Sequence, residues 1–66
     1  MTKQAELVMK LMTLGIPDNV QDVIGDKLQE YKGTDKSEEV ASIVLSIIES
    51  PGDVADIIKK IKNVSL

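Results

Sequence analysis

Apolar residues recur along this chain in four segments, each with the spacing of a helical face. In the third segment the apolar positions follow the i, i+3, i+4, i+7, i+8 template of a helix rather than the alternation of a strand. They are Val40, Ile43, Val44, Ile47 and Ile48. The pattern therefore predicts an all-α protein. Its four helices are expected at about residues 2–14, 18–32, 36–49 and 51–63.

Glycine, proline and capping residues separate the four segments. Gly15 and Gly33 follow the first two segments, at the position where a helix commonly ends in the left-handed conformation. The expected N-caps are Asp18 for the second helix, Thr34 or Asp35 for the third, and Ser50 for the fourth, with Pro51 at its first helical position. Because the connections are short, consecutive helices should be neighbours. We predict a compact bundle of four short helices joined by tight turns, in one domain over residues 1–66.

The first and third helices are more apolar than the other two. With successive residues about 100° apart, apolar side chains cover an arc of roughly 200° on each of them, against an ordinary stripe on the second and fourth. One interpretation is that both helices are central and are covered by neighbours on two sides. The other is that the surplus forms a twofold interface between two copies of the chain. The residues assigned to that interface are Val8, Met9, Met12, Ala41 and Leu45.

The size of the chain favours self-association. Domains below roughly 70–80 residues commonly depend on disulfides, a metal, oligomerisation or very regular helix packing, and this chain of 66 residues has neither Cys nor His. Leaving a large apolar side chain in water forgoes about 1.5–3 kcal/mol, a large share of the several kcal/mol that stabilise such a domain. We therefore expect a homodimer, the commonest oligomer. Met9 and Met12 fit either core filling or an adaptable surface groove.

Four carboxylates lie four residues apart along the second helix, and this set is called the acidic stripe. Its members are Asp18, Asp22, Asp26 and Glu30. We expect the stripe to be solvated, or to pair with the lysines of the fourth helix. A docking site for a basic partner and a Mg²⁺ or Ca²⁺ site are the alternatives. Carboxylates spread along one helix do not encircle an ion, which disfavours the metal.

The charge balance disfavours a dedicated nucleic-acid reader. The net charge is −3, and all eight basic residues are lysines, whereas arginine is the preferred residue for bidentate contacts to phosphates and base edges. The one basic cluster in the sequence consists of Lys59, Lys60 and Lys62, at the end of the fourth helix. It complements the helix macrodipole, and weak, salt-sensitive phosphate contact is its alternative role.

Three further residues of the second helix have expected roles in packing. Gly25 lies mid-helix, where glycine costs about 1 kcal/mol relative to alanine, and predicts a close helix crossing or a bend. Lys27 falls within the apolar stripe, so its stem should lie on the core while its charge extends to water. Tyr31 is expected at the edge of the core with its hydroxyl in water.

The sequence predicts no catalytic site and no cofactor. Without Cys or His, a nucleophile has only carboxylates or lysines as partners, and there is no glycine-rich phosphate loop. The longest uncharged apolar stretch, residues 40–48, is far short of the about 20 residues that cross a bilayer. No signal-peptide pattern is present, so we expect a cytoplasmic protein with no membrane partner. Abundant Lys, Glu and Asp weakly favour a heat-adapted source, although AT-rich coding gives the same bias.

A helix-turn-helix motif is the main competing interpretation, because the first two helices resemble it in part. The points of resemblance are Gly15 in the turn, Leu11 and Ile16 beside it, and Ile24 as anchor of the second helix. The departures are Lys10 where a small residue is expected, Gln21 where an apolar one is expected, and the exposed acidic stripe. We therefore expect a small helical interaction or regulatory module that self-associates, binds another protein and performs no catalysis. The alternative is a small DNA-binding transcriptional regulator of the helix-turn-helix type.

Overall fold

Residues 2–66 are described by the computed structural model, and four helices account for most of them. The helices are α1 (Lys3–Thr13), α2 (Asp18–Glu30), α3 (Ser37–Glu49) and α4 (Val54–Lys62). The described residues contain no strand, so the all-α prediction is confirmed. Every predicted helix is present, and its ends differ from the expected ones by at most three residues.

Two of the predicted helix ends have the expected backbone conformation. Gly15 and Gly33 follow α1 and α2 with φ angles of 64° and 78°. A side chain with a Cβ is strained in this left-handed region, whereas glycine adopts it readily. The prediction that Gly15 ends the first helix is therefore confirmed, whereas α2 ends before Gly33, which lies three residues beyond Glu30 and after the cap residue Tyr31.

The predicted start of α4 is wrong. The cap is Asp53, whose carboxylate accepts a hydrogen bond from the backbone N–H of Asp56 at 2.8 Å. Ser50 instead belongs to the end of α3, where its hydroxyl donates to the carbonyl oxygen of Ser46 at 2.8 Å. Since that hydroxyl is engaged with the preceding helix, Pro51 lies in the connection and not in the first turn of α4.

The capping residues predicted for α2 and α3 are also wrong. Asp18 is the first helical residue of α2 and Pro17 takes the cap position, while Lys36 takes it in α3. Neither cap makes a side-chain hydrogen bond. Thr34 lies two residues before Lys36, and its hydroxyl donates to the carbonyl oxygen of Tyr31 at 2.6 Å and accepts from the backbone N–H of Lys36 at 3.2 Å. Its side chain therefore joins the turn after α2 to the start of α3, although Thr34 does not occupy the cap position itself.

Glu38 connects the beginnings of α1 and α3. Its carboxylate accepts a hydrogen bond from the backbone N–H of Lys3 at 2.8 Å. Backbone N–H groups in the first turn have no partner within their own helix, and a negative charge there is favoured by the helix macrodipole. The first turn of α1 thus takes an acceptor from a residue 35 positions away in the sequence.

The core is built around α3. This helix contacts all three others, whereas α1 packs chiefly on α3, and α2 packs on α4 and α3. Five of the nine buried hydrophobic residues lie on α3. The buried set is Leu7, Val20, Ile24, Val40, Ala41, Val44, Leu45, Ile48 and Ile61. The radius of gyration is 10.8 Å, close to the about 11 Å expected for a compact chain of this length.

Two further predictions about the fold have a clear outcome. Gly25 is exposed, and a Cβ added to it would meet no described atom within 4 Å beyond its own helix. The predicted close helix crossing at this residue is therefore wrong. In residues 2–66, no helix combines the length and the apolar character that crossing a bilayer requires.

Candidate functional site

An apolar stripe runs along the side of α1 that faces away from the core, and it is called the outer stripe. Its members have the i, i+3, i+4, i+7 spacing of one helix face. They are Ala5, Val8, Met9 and Met12. All four are exposed, and the exposed fractions of Val8, Met9 and Met12 are 50%, 54% and 81%. Isolated exposed apolar residues are ordinary, whereas a continuous uncharged face of this kind is a candidate interaction surface.

The outer stripe is exposed because α1 is covered from one side. Leu7 is fully buried and Leu11 packs against the core from a partly buried position. These two residues turn one face of α1 towards α3, which is its main neighbour. The apolar arc of the helix is wider than this contact, so the remainder of the arc faces solvent.

Polar residues border the outer stripe on one side. Lys3 and Glu6 form an exposed ion pair at 3.4 Å, of a kind that contributes little to stability. Next to this ion pair, a shallow open depression of about 480 Å³ lies on the surface of α1. Its lining residues are Glu6, Met9, Lys10 and Thr13. They again have the i, i+3, i+4, i+7 spacing, which is the arrangement that receives a side chain from a facing helix.

The residues of the predicted interface fall into an exposed group and a buried group in the structure. Val8, Met9 and Met12 lie on the surface, as an interface requires. Ala41 and Leu45 do not, because they are 0% and 5% exposed in the single chain. Placing these two residues on a shared surface was wrong, since the three neighbours of α3 cover its wide apolar arc.

The sequence-based set also omitted Ala5, which completes the outer stripe. The signal was present in the spacing, because Ala5 precedes Val8, Met9 and Met12 by three, four and seven residues. A small side chain contributes little to a hydrophobicity pattern, although it permits close approach of a second helix.

The acidic stripe is exposed along its whole length. In the described part of the chain, its one ion pair joins Glu30 to Lys27 of the same helix at 3.0 Å. The predicted pairing with the lysines of α4 does not occur there, although α2 and α4 pack together. Among residues 2–66, no three carboxylates converge on a point that could hold a metal ion.

Lys27 holds the end of α4 rather than extending into water. The side chain is 12% exposed, and its ammonium donates to the carbonyl oxygen of Val64 at 2.8 Å and to that of Lys62 at 3.4 Å. The last carbonyls of a helix have no partner within the helix. A cation at that end is also favoured by the macrodipole. The expectation that the charge of Lys27 reaches water is therefore corrected.

Tyr31 holds the residues that follow α4. Its hydroxyl accepts a hydrogen bond from the backbone N–H of Leu66 at 2.9 Å, so the expectation that it points into water is corrected too. Lys27 and Tyr31 lie one helical turn apart and bind residues 62–66 along the surface of α2. These two side chains are called the C-terminal anchor.

Replacing Lys27 by methionine is expected to destabilise the fold by about 1 kcal/mol, because the carbonyl of Val64 loses a charged donor in a partly buried position. The free energy of unfolding, from urea titration, measures this. Lys27→Arg keeps the donors and should recover most of the loss. Lys32→Met removes the same charge at an exposed position, so an equal loss there would contradict a specific role for Lys27.

The basic cluster Lys59, Lys60 and Lys62 lies at the exposed end of α4. Lys62 also lines a depression of about 290 Å³ beside α2, together with Asp26 and Glu30. Lys62 thus borders acidic side chains, which weakens its part of the basic cluster as a surface for phosphates.

The two helices of the suggested helix-turn-helix are not a packed pair. α1 packs chiefly on α3, and α2 on α4 and α3. Gln21, one of the polar residues of the would-be reading helix, donates its side-chain amide to the carbonyl oxygen of Ile16 at 2.8 Å. Asp18, Asp22 and Asp26 are exposed on the same helix. The outer stripe of α1 is therefore the strongest candidate site.

Comparisons with known protein families, with curated proteins and with solved structures found no match for this chain.

Proposed function

We propose that this chain is a small helical interaction module that self-associates and binds another protein through α1, and that performs no catalysis. The single observation that carries the proposal is the outer stripe, an uncharged apolar face on a helix whose opposite face already packs in the core. The proposed module acts in the cytoplasm.

The energetic argument concerns the three large side chains of the outer stripe. Each is at least half exposed, and full burial of such a side chain contributes about 1.5–3 kcal/mol. Docking a partner on α1 would recover part of this free energy. The buried residues of α3 would not be disturbed, because α3 packs against the opposite face of α1.

Sedimentation equilibrium from tens to hundreds of micromolar tests the proposal. We expect the average mass of the natural chain to rise with concentration, and Met12→Lys to lower it towards the monomer because a charge enters the outer stripe. Gln29→Lys is the matched control, since it adds a positive charge at an exposed position on α2. A strictly monomeric natural chain at hundreds of micromolar would contradict self-association.

DNA binding is the alternative function, and the observation that favours it is the exposed cluster of three lysines on α4. The acidic stripe and the internally bonded Gln21 oppose it. A gel-shift experiment with random duplex at low salt separates the two. Retardation at tens of micromolar that is lost in the triple variant Lys59→Ala, Lys60→Ala, Lys62→Ala would favour DNA.

A further inference from the structure

We propose that the occupant of the outer stripe is a second copy of this chain, docked by antiparallel twofold pairing of the two α1 helices. The twofold axis passes between Val8 and Met9, so that Val8 of one copy lies level with Met9 of the other and Ala5 lies level with Met12. The two Met9 residues lie beside the axis, within one residue, about 1.5 Å along the helix, of the same level. This inference rests on the proposed function, because it assigns a register to the self-association proposed there.

The spacing of the outer stripe is symmetric about its centre. Its members follow one another at intervals of three, one and three residues, and this sequence of intervals is the same from either end. Reversing the direction of α1 therefore superimposes the stripe on itself. An antiparallel contact in which every member of the stripe meets another member at its own level requires this property, and a twofold axis then relates the same patch on both copies.

The sizes of the side chains favour the antiparallel direction. In that register the smallest member, Ala5, faces the large Met12, and this alternation fills the space between two helices evenly. Parallel pairing would place alanine opposite alanine and methionine opposite methionine. That arrangement leaves a gap at one end of the contact and crowds the other.

The charged residues beside the outer stripe also favour antiparallel pairing. Glu6 and Lys10 lie on one edge of it, beyond Met9. Antiparallel pairing about the proposed axis brings Glu6 within one residue, about 1.5 Å along the helix, of the level of Lys10 in the second copy. Parallel twofold pairing places the charged edges of the two copies on opposite sides of the contact, where Glu6 and Lys10 gain no such partner. Antiparallel macrodipoles also attract, whereas parallel ones repel.

The size of α1 sets the strength of this dimer. A helix of 11 residues is about 16 Å long, so two copies bury less than the roughly 1,000 Å² of a stable specific interface. Translational and rotational freedom is also lost on association. The dimer is therefore weak and reversible, and the single chain keeps its own core without it.

Disulfide cross-linking tests the register, since the chain has no cysteine of its own. Three single variants are prepared in the full chain: Met9→Cys, Ala5→Cys and Met12→Cys. Air oxidation is followed for each variant alone and for the mixture of the last two. Gln29→Cys, exposed on α2, reports the rate of random collision. Sedimentation of the natural chain is measured in parallel.

The antiparallel register predicts that Met9→Cys cross-links to itself several-fold faster than Gln29→Cys. It also predicts that Ala5→Cys and Met12→Cys cross-link to each other in the mixture but not alone. Rapid self-cross-linking of Met12→Cys would overturn the register in favour of parallel pairing. A natural chain that dimerises while no α1 variant cross-links faster than the control would overturn α1 as the contact. A monomeric natural chain would overturn the proposed self-association itself.

Discussion

Replacing Leu45 by lysine is expected to unfold the chain. Leu45 is 5% exposed and lies on α3, the helix that contacts all the others. An ammonium at this position would lose its hydration without gaining a partner, at a cost of several kcal/mol. A domain of this size has a total stability of only several kcal/mol. We expect the helical signal in far-ultraviolet circular dichroism to fall to that of an unfolded chain.

Met9→Lys is the matched control for this variant. It makes a similar apolar-to-charged change at a residue that is 54% exposed, so the helical signal and the melting temperature should stay close to those of the natural chain. If Leu45→Lys instead remained folded, Leu45 would have to face solvent and α3 would not be the central helix. Comparing the two variants separates a core role from a surface role, which the sequence pattern alone did not do.

The helices themselves were predictable because their signals are local. Apolar residues three and four apart define a face, and a glycine in the left-handed conformation ends a helix wherever it follows the last periodic residue. Gly15 acts in this way, directly after the cap of α1. Such signals depend on a few adjacent positions, and tertiary packing leaves them intact.

The position of the outer stripe, the proposed interaction surface, was only half predictable. The first and third helices have apolar arcs of similar width in the sequence. The pattern therefore predicts the same excess of apolar surface on both. Their difference lies in the number of neighbours, since three helices cover α3 and chiefly one covers α1. The number of neighbours of a helix depends on how all four helices pack together. The sequence therefore could not show that Leu45 is inside while Met12 is outside.

Contacts between distant residues were missed for a related reason. The bonds from Lys27 to Val64, from Tyr31 to Leu66 and from Glu38 to Lys3 each join residues at least 35 positions apart. No local spacing indicates them. Each side chain forms a hydrogen bond with a backbone group near the end of another helix. Which backbone group this is depends on how the helices pack, so it follows only from the folded structure.

Replacing Ile61 by alanine is expected to cost about 2–5 kcal/mol of the free energy of unfolding. Ile61 is 0% exposed and is the one buried residue of α4. A helix of nine residues is too short to be stable alone in water, so α4 depends on packing, to which Ile61 contributes from a fully buried position and Ile57 and Ile58 from partly buried ones. Its loss should also release residues 62–66 from Lys27 and Tyr31. Urea titration measures the free energy, and amide hydrogen exchange locates the residues that open.

Lys60→Ala provides the control, because Lys60 precedes Ile61 and is exposed; its effect should stay within about 0.5 kcal/mol. Since alanine favours helix formation more than isoleucine does, a loss in Ile61→Ala comes from packing and not from propensity. Hydrogen exchange then distinguishes two routes. Faster exchange confined to residues 54–66 would mean that α4 detaches from an intact α1–α3 core. Uniformly faster exchange would mean that the four helices open together. A loss below about 1 kcal/mol would contradict full burial of Ile61.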